Sequence, residues 1–150
     1  MSCVDRLGAA LCHLAHLPFP SPYRYDAAEA ITAIEDGLRL DGRAGRLRVI
    51  AEPVTFGSLV ETVFSPIRQY GRTSNLVTNR LLETIVLIAG HLQGAEHAPH
   101  RAALRQQADA IERGFCQSEA VASDESDQAQ VRAWHGRAVA ALEQAEGHCG

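Results

Sequence analysis

The chain contains no lysine, and all 14 of its basic residues are arginines. That absence excludes a lysine Schiff base and removes the lysine on which the phosphate loop of nucleotide triphosphatases depends. Aromatic residues are scarce too, at 5%, whereas alanine alone supplies 24 of the 150 residues. Few rings and many small side chains favour closely packed helices. Long apolar runs are missing. Stretches such as 85–89 fall far short of the roughly 20 apolar residues a membrane-spanning helix needs, so no direct span is expected in this chain.

The four cysteines, Cys3, Cys12, Cys116 and Cys149, show no paired spacing of the C-x-x-C kind. The N-terminus also lacks the charged and apolar regions of a secretory signal, so reduced thiols in a cytoplasmic compartment are the expectation. A formal charge of −4, with the arginines scattered, argues against a nucleic-acid backbone as partner. The patterns of a nucleophile elbow, a H-E-x-x-H zinc site, a dinucleotide loop and an EF-hand are all absent. No catalytic residue, and no cofactor, is therefore assigned.

What is present fits one mainly α domain of about five helices, with a short strand or hairpin arm near residues 46–50. Val4, Leu7, Leu11 and Leu14 recur at steps of three and four, which predicts a helix over 2–17 with one apolar stripe. Three prolines in "PFPSPY" then impose an extended loop. Residues 27–40 read as a short helix. Leu47 and Val49 alternate with Arg46 and Arg48, a strand pattern that Pro53 ends. A helix opening at Thr55 places Phe56, Leu59, Val60, Val63, Phe64 and Ile67 on one face. Pro66 is expected to kink or restart it. Dense apolar residues from Ser74 or Asn75 to Gln93 predict a central, mostly buried helix, and helices over 98–115 and 124–145 follow. The four acidic residues within 117–127 suggest a solvated linker.

Two constellations invite chemistry. Cys12, His13 and His16 sit within one helical turn of one another, as metal ligands can. No second ligand pair with such spacing lies nearby, so no metal is assigned; His91, His97 and His100 form a looser group around a helix end. Carboxylate pairs such as Asp109 and Glu112 read as solvated helix faces. The other constellation is "SPIRQYGRTSN", residues 65–75. Arg68, Tyr70, Arg72 and Asn75 stand beside an upcoming helix N-terminus, where free amides and the helix dipole favour an anion. The alternative is structural: Gly71 as a left-handed cap, Ser74 or Asn75 as the next N-cap, and the arginines bonding helix-end carbonyls or Glu52, Glu61 or Glu83.

Three stretches taken in order, "SCVDRLGAALCHLAHLPFPSPYRYD", "GRLRVIAEPVTF" and "FSPIRQYGRTSNLVTNRLLETIVLIA", resemble the soluble C-terminal region of a bacterial family of predicted integral membrane proteins. The family is catalogued as domain of unknown function 2254. The resemblance is close over about residues 2–25 and 46–91 and looser toward the C-terminus, and residues 27–44 stand as an insertion. Family members carry transmembrane helices and further soluble sequence ahead of the matching region, so the resemblance implies a chain truncated at its N-terminus. It further implies a cytoplasmic domain associated with the inner membrane, whose partner is another protein, the missing membrane portion or a second copy of itself. A regulatory, assembly or partner-binding role follows; the alternative is a small-anion or nucleotide sensor using Arg68 and Arg72.

Overall fold

The computed structural model describes residues 3–25, 47–118 and 125–147. The helix expected over 27–40, the insertion over 27–44 and most of the 117–127 linker lie outside the described residues. By internal contacts the chain divides into two compact units, Met1–Leu17 with Phe56–Gly150, and Pro18–Thr55.

The smaller unit holds an antiparallel pair, β1 (Tyr23–Tyr25) and β2 (Leu47–Ile50). Tyr23 pairs with Ile50, Arg24 with Val49 and Tyr25 with Leu47, so the register slips by one residue at Arg48. The Ala51 amide donates to the Pro22 carbonyl at 2.8 Å, which extends the ladder past Ile50. The strand expected near 46–50 is β2. Its partner comes from the end of the proline-rich loop, which composition alone marks only as non-helical.

The larger unit is helical: α1 (Cys3–Leu14), α2 (Phe56–Gly71), α3 (Asn75–Ala89), α4 (Ala98–Cys116) and α5 (Glu125–Gly147), with a 3-10 turn over Ala95–His97. The fold is thus mainly α. Helix α3 is central and packs against each of the other four helices. It buries Thr78, Leu81, Leu82, Thr84, Ile85, Ile88 and Ala89, which lie around most of its circumference. Ser74 caps its start, accepting from the Val77 amide, which answers one of the orphan donors of the first turn. Helix α4 contributes Leu104, Ala108, Ile111 and Phe115, and α5 contributes Val131, Ala138, Leu142 and Ala145. The spacing 131, 138, 145 keeps one narrow edge of α5 on the core, and Trp134 stays half-buried beneath the Arg137 guanidinium, 4.7 Å above its ring.

Three expectations are corrected. Helix α2 runs through Pro66 without a restart. A proline costs a helix interior one hydrogen bond and a carbonyl clash, about 3 kcal/mol. Buried Phe56, Val60 and Phe64 each return about 1.5–3 kcal/mol. Arg68 also spans the break, reaching Glu61 at 3.6 Å and Ser65 at 3.5 Å. Gly71 is not a left-handed cap, because Gly94, at φ 95°, is the one described glycine with positive φ. The buried line of α1 is Gly8 and Leu11, continued by Ala15, while Val4, Leu7 and Leu14 remain half-buried.

That last correction has a physical cause. A Cβ on Gly8 would lie 2.5 Å from the Thr84 Cγ2, so the absence of a side chain there is what lets α1 approach α3. Thr84 cannot swing away, because it is buried and its hydroxyl donates to the Arg80 carbonyl at 2.8 Å. Gly8→Ala should therefore destabilise the fold by about 1–2 kcal/mol in chemical denaturation, overpacking outweighing the gain in helix propensity. Adding Thr84→Ser, which removes the clashing methyl and keeps the hydroxyl, should recover most of the loss.

Candidate functional site

At the joint between α2 and α3 the sequence-predicted residues separate into two groups. Arg68 is half-buried and faces Glu61, an outcome the pairing alternative anticipated. Asn75 is committed to α5: its amide nitrogen donates to Asp127 and, at 2.8 Å, to Gln130, while its oxygen accepts from Asn79. Tyr70, by contrast, is 86% exposed. Arg72 is exposed, with no bonded partner among the described residues. The joint thus brings Tyr70 and Arg72 to the surface and turns Arg68 and Asn75 inward.

Beside them runs an open apolar groove of about 390 Å³ lined by Pro66, Ile67, Tyr70, Gly71 and Val77. Pro66 contributes a ring without an amide donor, and Gly71 contributes bare backbone against which Val77 packs; a Cβ there would meet Val77 Cγ1 at 2.5 Å. Leu76, 81% exposed, stands next to this groove in sequence. The joint therefore presents an apolar recess whose lining includes the exposed Tyr70.

At the start of α4 a second cluster forms, which the sequence spacing had only half disclosed. His97 and His100 bring their Nδ1 atoms to 3.1 Å, and the His16 ring, following α1, meets the His97 ring edge-on with centroids 5.2 Å apart. Phe56 packs edge-on against His100 at 4.5 Å. Burial, then the neighbouring His97 and His16, hold the His100 imidazole below the ordinary histidine range. Neither His13 nor His91, both exposed, has a described contact with the cluster. Among the described residues no group of three His, Cys, Asp or Glu side chains is arranged to hold a metal ion.

Arg101 underlies this cluster. Buried to 4% exposure, it donates from Nη1 to the carbonyls of Leu92 at 2.8 Å and Gly94 at 2.6 Å, and its Nε stands 3.7 Å from Glu146 of α5. One guanidinium so satisfies two carbonyls of the loop after α3 and fixes the left-handed turn at Gly94. Elsewhere Arg80 bridges Asp5 of α1, at 2.6 Å from Nε, and Glu83 of α3, at 2.5 Å from Nη1. Glu83 first, and Asp5 second, raise its already high pKa. Asp109 meets His135 at 2.7 Å, while Glu112 accepts from the Cys116 thiol at 3.5 Å. Burial, then Glu112, push that thiol upward, away from reactivity.

Helices packed around α3, together with a separate strand pair, define a mainly α chain. No helix among the described residues is long and apolar enough to cross a membrane. The chain belongs to the family described as "Predicted membrane protein (DUF2254)", whose model matches residues 1–86, through α1, the strand pair, α2 and most of α3. No curated protein and no solved structure matches it.

Arg101→Ala should cost about 3 kcal/mol of stability by thermal or urea unfolding, since it strands two buried carbonyls. Glu146→Gln should cost under about 1 kcal/mol, because that carboxylate is 63% exposed. Equal losses from both would show that the ion pair, and not the carbonyl bonds, is what matters.

Proposed function

We propose that this chain is an extramembrane, cytoplasmic portion of its membrane protein and that it works without catalysis, by pairing two copies of itself at the α2–α3 end. The observation that carries this reading is the coexistence of knob and recess on one surface. Tyr70, 86% exposed, forms one wall of the groove it shares with Pro66, Ile67, Gly71 and Val77, and Leu76, 81% exposed, is the chain neighbour of Val77 in the first turn of α3. A two-fold interface requires such self-complementarity, because the same patch must be donor and acceptor of contacts. Aromatic anchors of the Tyr70 kind carry a large share of the energy in interfaces of this sort. Anchoring in a membrane raises the effective concentration of two copies, so even a weak contact suffices there.

The anion-sensing alternative has less support. Arg68 is engaged by Glu61 and Ser65, and Asn75 by α5, which leaves Arg72 as the one guanidinium of the joint without a described partner. A phosphate or nucleotide would have to displace protein contacts to gain a second cation.

Sedimentation of the purified chain from low micromolar to millimolar concentration tests the pairing. A concentration-dependent dimer is expected, and Leu76→Glu should abolish it while changing stability by no more than about 0.5 kcal/mol, as exposed substitutions do. A chain that stays monomeric up to millimolar concentration, or a dimer indifferent to Leu76→Glu and Tyr70→Ala, overturns the reading. A rise in melting temperature with phosphate or nucleotide that is lost in Arg72→Ala would favour the sensor instead.

A further inference from the structure

Helix α3 is enclosed on most sides, and its neighbours leave one stripe uncovered. At about 100° per residue, Leu76, Arg80, Glu83 and Leu87 fall within about 60° of one another, along roughly 16 Å of the helix axis. Leu76 and Leu87 are 81% and 60% exposed, and Arg80 and Glu83 between them are half-buried. Thr84 bounds the stripe on one side, buried against Gly8 of α1. Asn79 bounds it on the other, bonded to the Asn75 that reaches α5.

The order along this stripe is apolar, basic, acidic, apolar. Turned end for end, it places acid where base stood. Two such stripes related by a two-fold axis beside the middle of α3 run antiparallel: Leu76 faces Leu87 of the second copy, Arg80 faces its Glu83, and symmetry repeats both pairs. A parallel arrangement would set Arg80 on Arg80 and Glu83 on Glu83, which like-charge repulsion disfavours. The charged pair has capacity for a further bond. Arg80 carries five N–H donors, and within its own copy it meets Asp5 Oδ1 from Nε and Nη2 and Glu83 Oε2 from Nη1. Glu83 is engaged there through Oε2, so its Oε1 is open to an incoming guanidinium. Asp5 also fixes the Arg80 side chain before a second copy arrives, which lowers the entropy lost on pairing.

We infer that α3 pairs antiparallel with the α3 of a second copy through Leu76, Arg80, Glu83 and Leu87. The inference rests on the self-pairing reading above and places its axis: the α2–α3 end of each copy lies against the far end of the other's α3. Leucine contacts at the two ends supply apolar burial, while the Arg80–Glu83 pairs between them set direction and register, as flanking charges do in coiled coils. A slip of four residues sets a leucine on Glu83 in one direction and on Arg80 in the other.

Sedimentation of single and mixed variants reads the register. Leu76→Glu and Leu87→Arg should each weaken the dimer by at least about tenfold, because each sets a charge against a leucine. Mixed in equal amounts, the two should pair again to within about threefold of the unaltered chain, since the introduced charges then face each other and so do the remaining leucines. The reversed combination, Leu76→Arg with Leu87→Glu, should behave alike, which guards against a folding defect in any one variant. A dimer indifferent to Leu87→Arg overturns the α3 pairing and leaves the joint alone as the interface. Loss in each variant with no recovery in either mixture overturns the antiparallel register. A chain that is monomeric up to millimolar concentration removes the self-pairing reading as well.

Discussion

Everything in the helical unit answers to the burial of α3. Its buried positions, from Thr78 to Ala89, face too many directions for one partner to cover. A helix of this kind is stable in water only when neighbours enclose it, and α1, α2, α4 and α5 each take a sector. The need for enclosure sets what those neighbours are made of. Helix α1 approaches through Gly8, and α5 through an edge on which Val131 and Leu142 alternate with the small Ala138 and Ala145. Close approach from small residues on α1 and α5 complements the buried rings of Phe56, Phe64 and Phe115, so a chain with few aromatics still builds a full core.

Apolar burial brings the helices together but does not index them, and polar groups at the two ends of the bundle do so. Asn75 ties the first residue of α3 to the first turn of α5 through Asp127 and Gln130. Arg101 ties the far end, holding the loop after α3 by its carbonyls. Arg80 fixes α1 to α3 through Asp5. Each bond has a direction and a length, so a helix sliding by one turn would lose it. The same bonds decide which residues stay at the surface: Asn75 and Arg68 are consumed, and Tyr70 and Arg72 are left out.

Helical periodicity made most of the helical unit legible before any coordinates, because α2 and α3 carry dense apolar faces and α4 and α5 narrower stripes at helical spacing. The errors fell where the deciding group has no apolar side chain to count. Gly8 is a contact residue by virtue of having none, so the stripe drawn through Val4, Leu7, Leu11 and Leu14 meets the interface at Leu11 and misses its other buried position. Pro66 signals a break, yet the local penalty is smaller than the burial on either side of it. The strand at 47–50 was readable from its alternation; its partner at 23–25 was not, since a three-residue strand among prolines has no period. The end of α2 at Gly71 and the start of α3 at Asn75 fall within the joint expected at 65–75, which is thus shorter than expected, and the inward fate of Asn75 depends on residues 52 and 55 positions later. The histidines were visible singly. Their convergence requires the ends of α1 and α4 to meet, which no spacing in the chain encodes.

The Asn75 link also has a meaning in time. As the chain leaves the ribosome, α1, α2 and α3 are complete long before α5 exists, and the residues joined at Asn75 are separated by more than fifty positions. During that interval the side of α3 destined for α5 is an uncovered apolar helix face. A face of this kind, uncovered during synthesis, is prone to non-native association. Arrival of α5 ends this exposure, so a helix translated later completes the enclosure of one translated earlier.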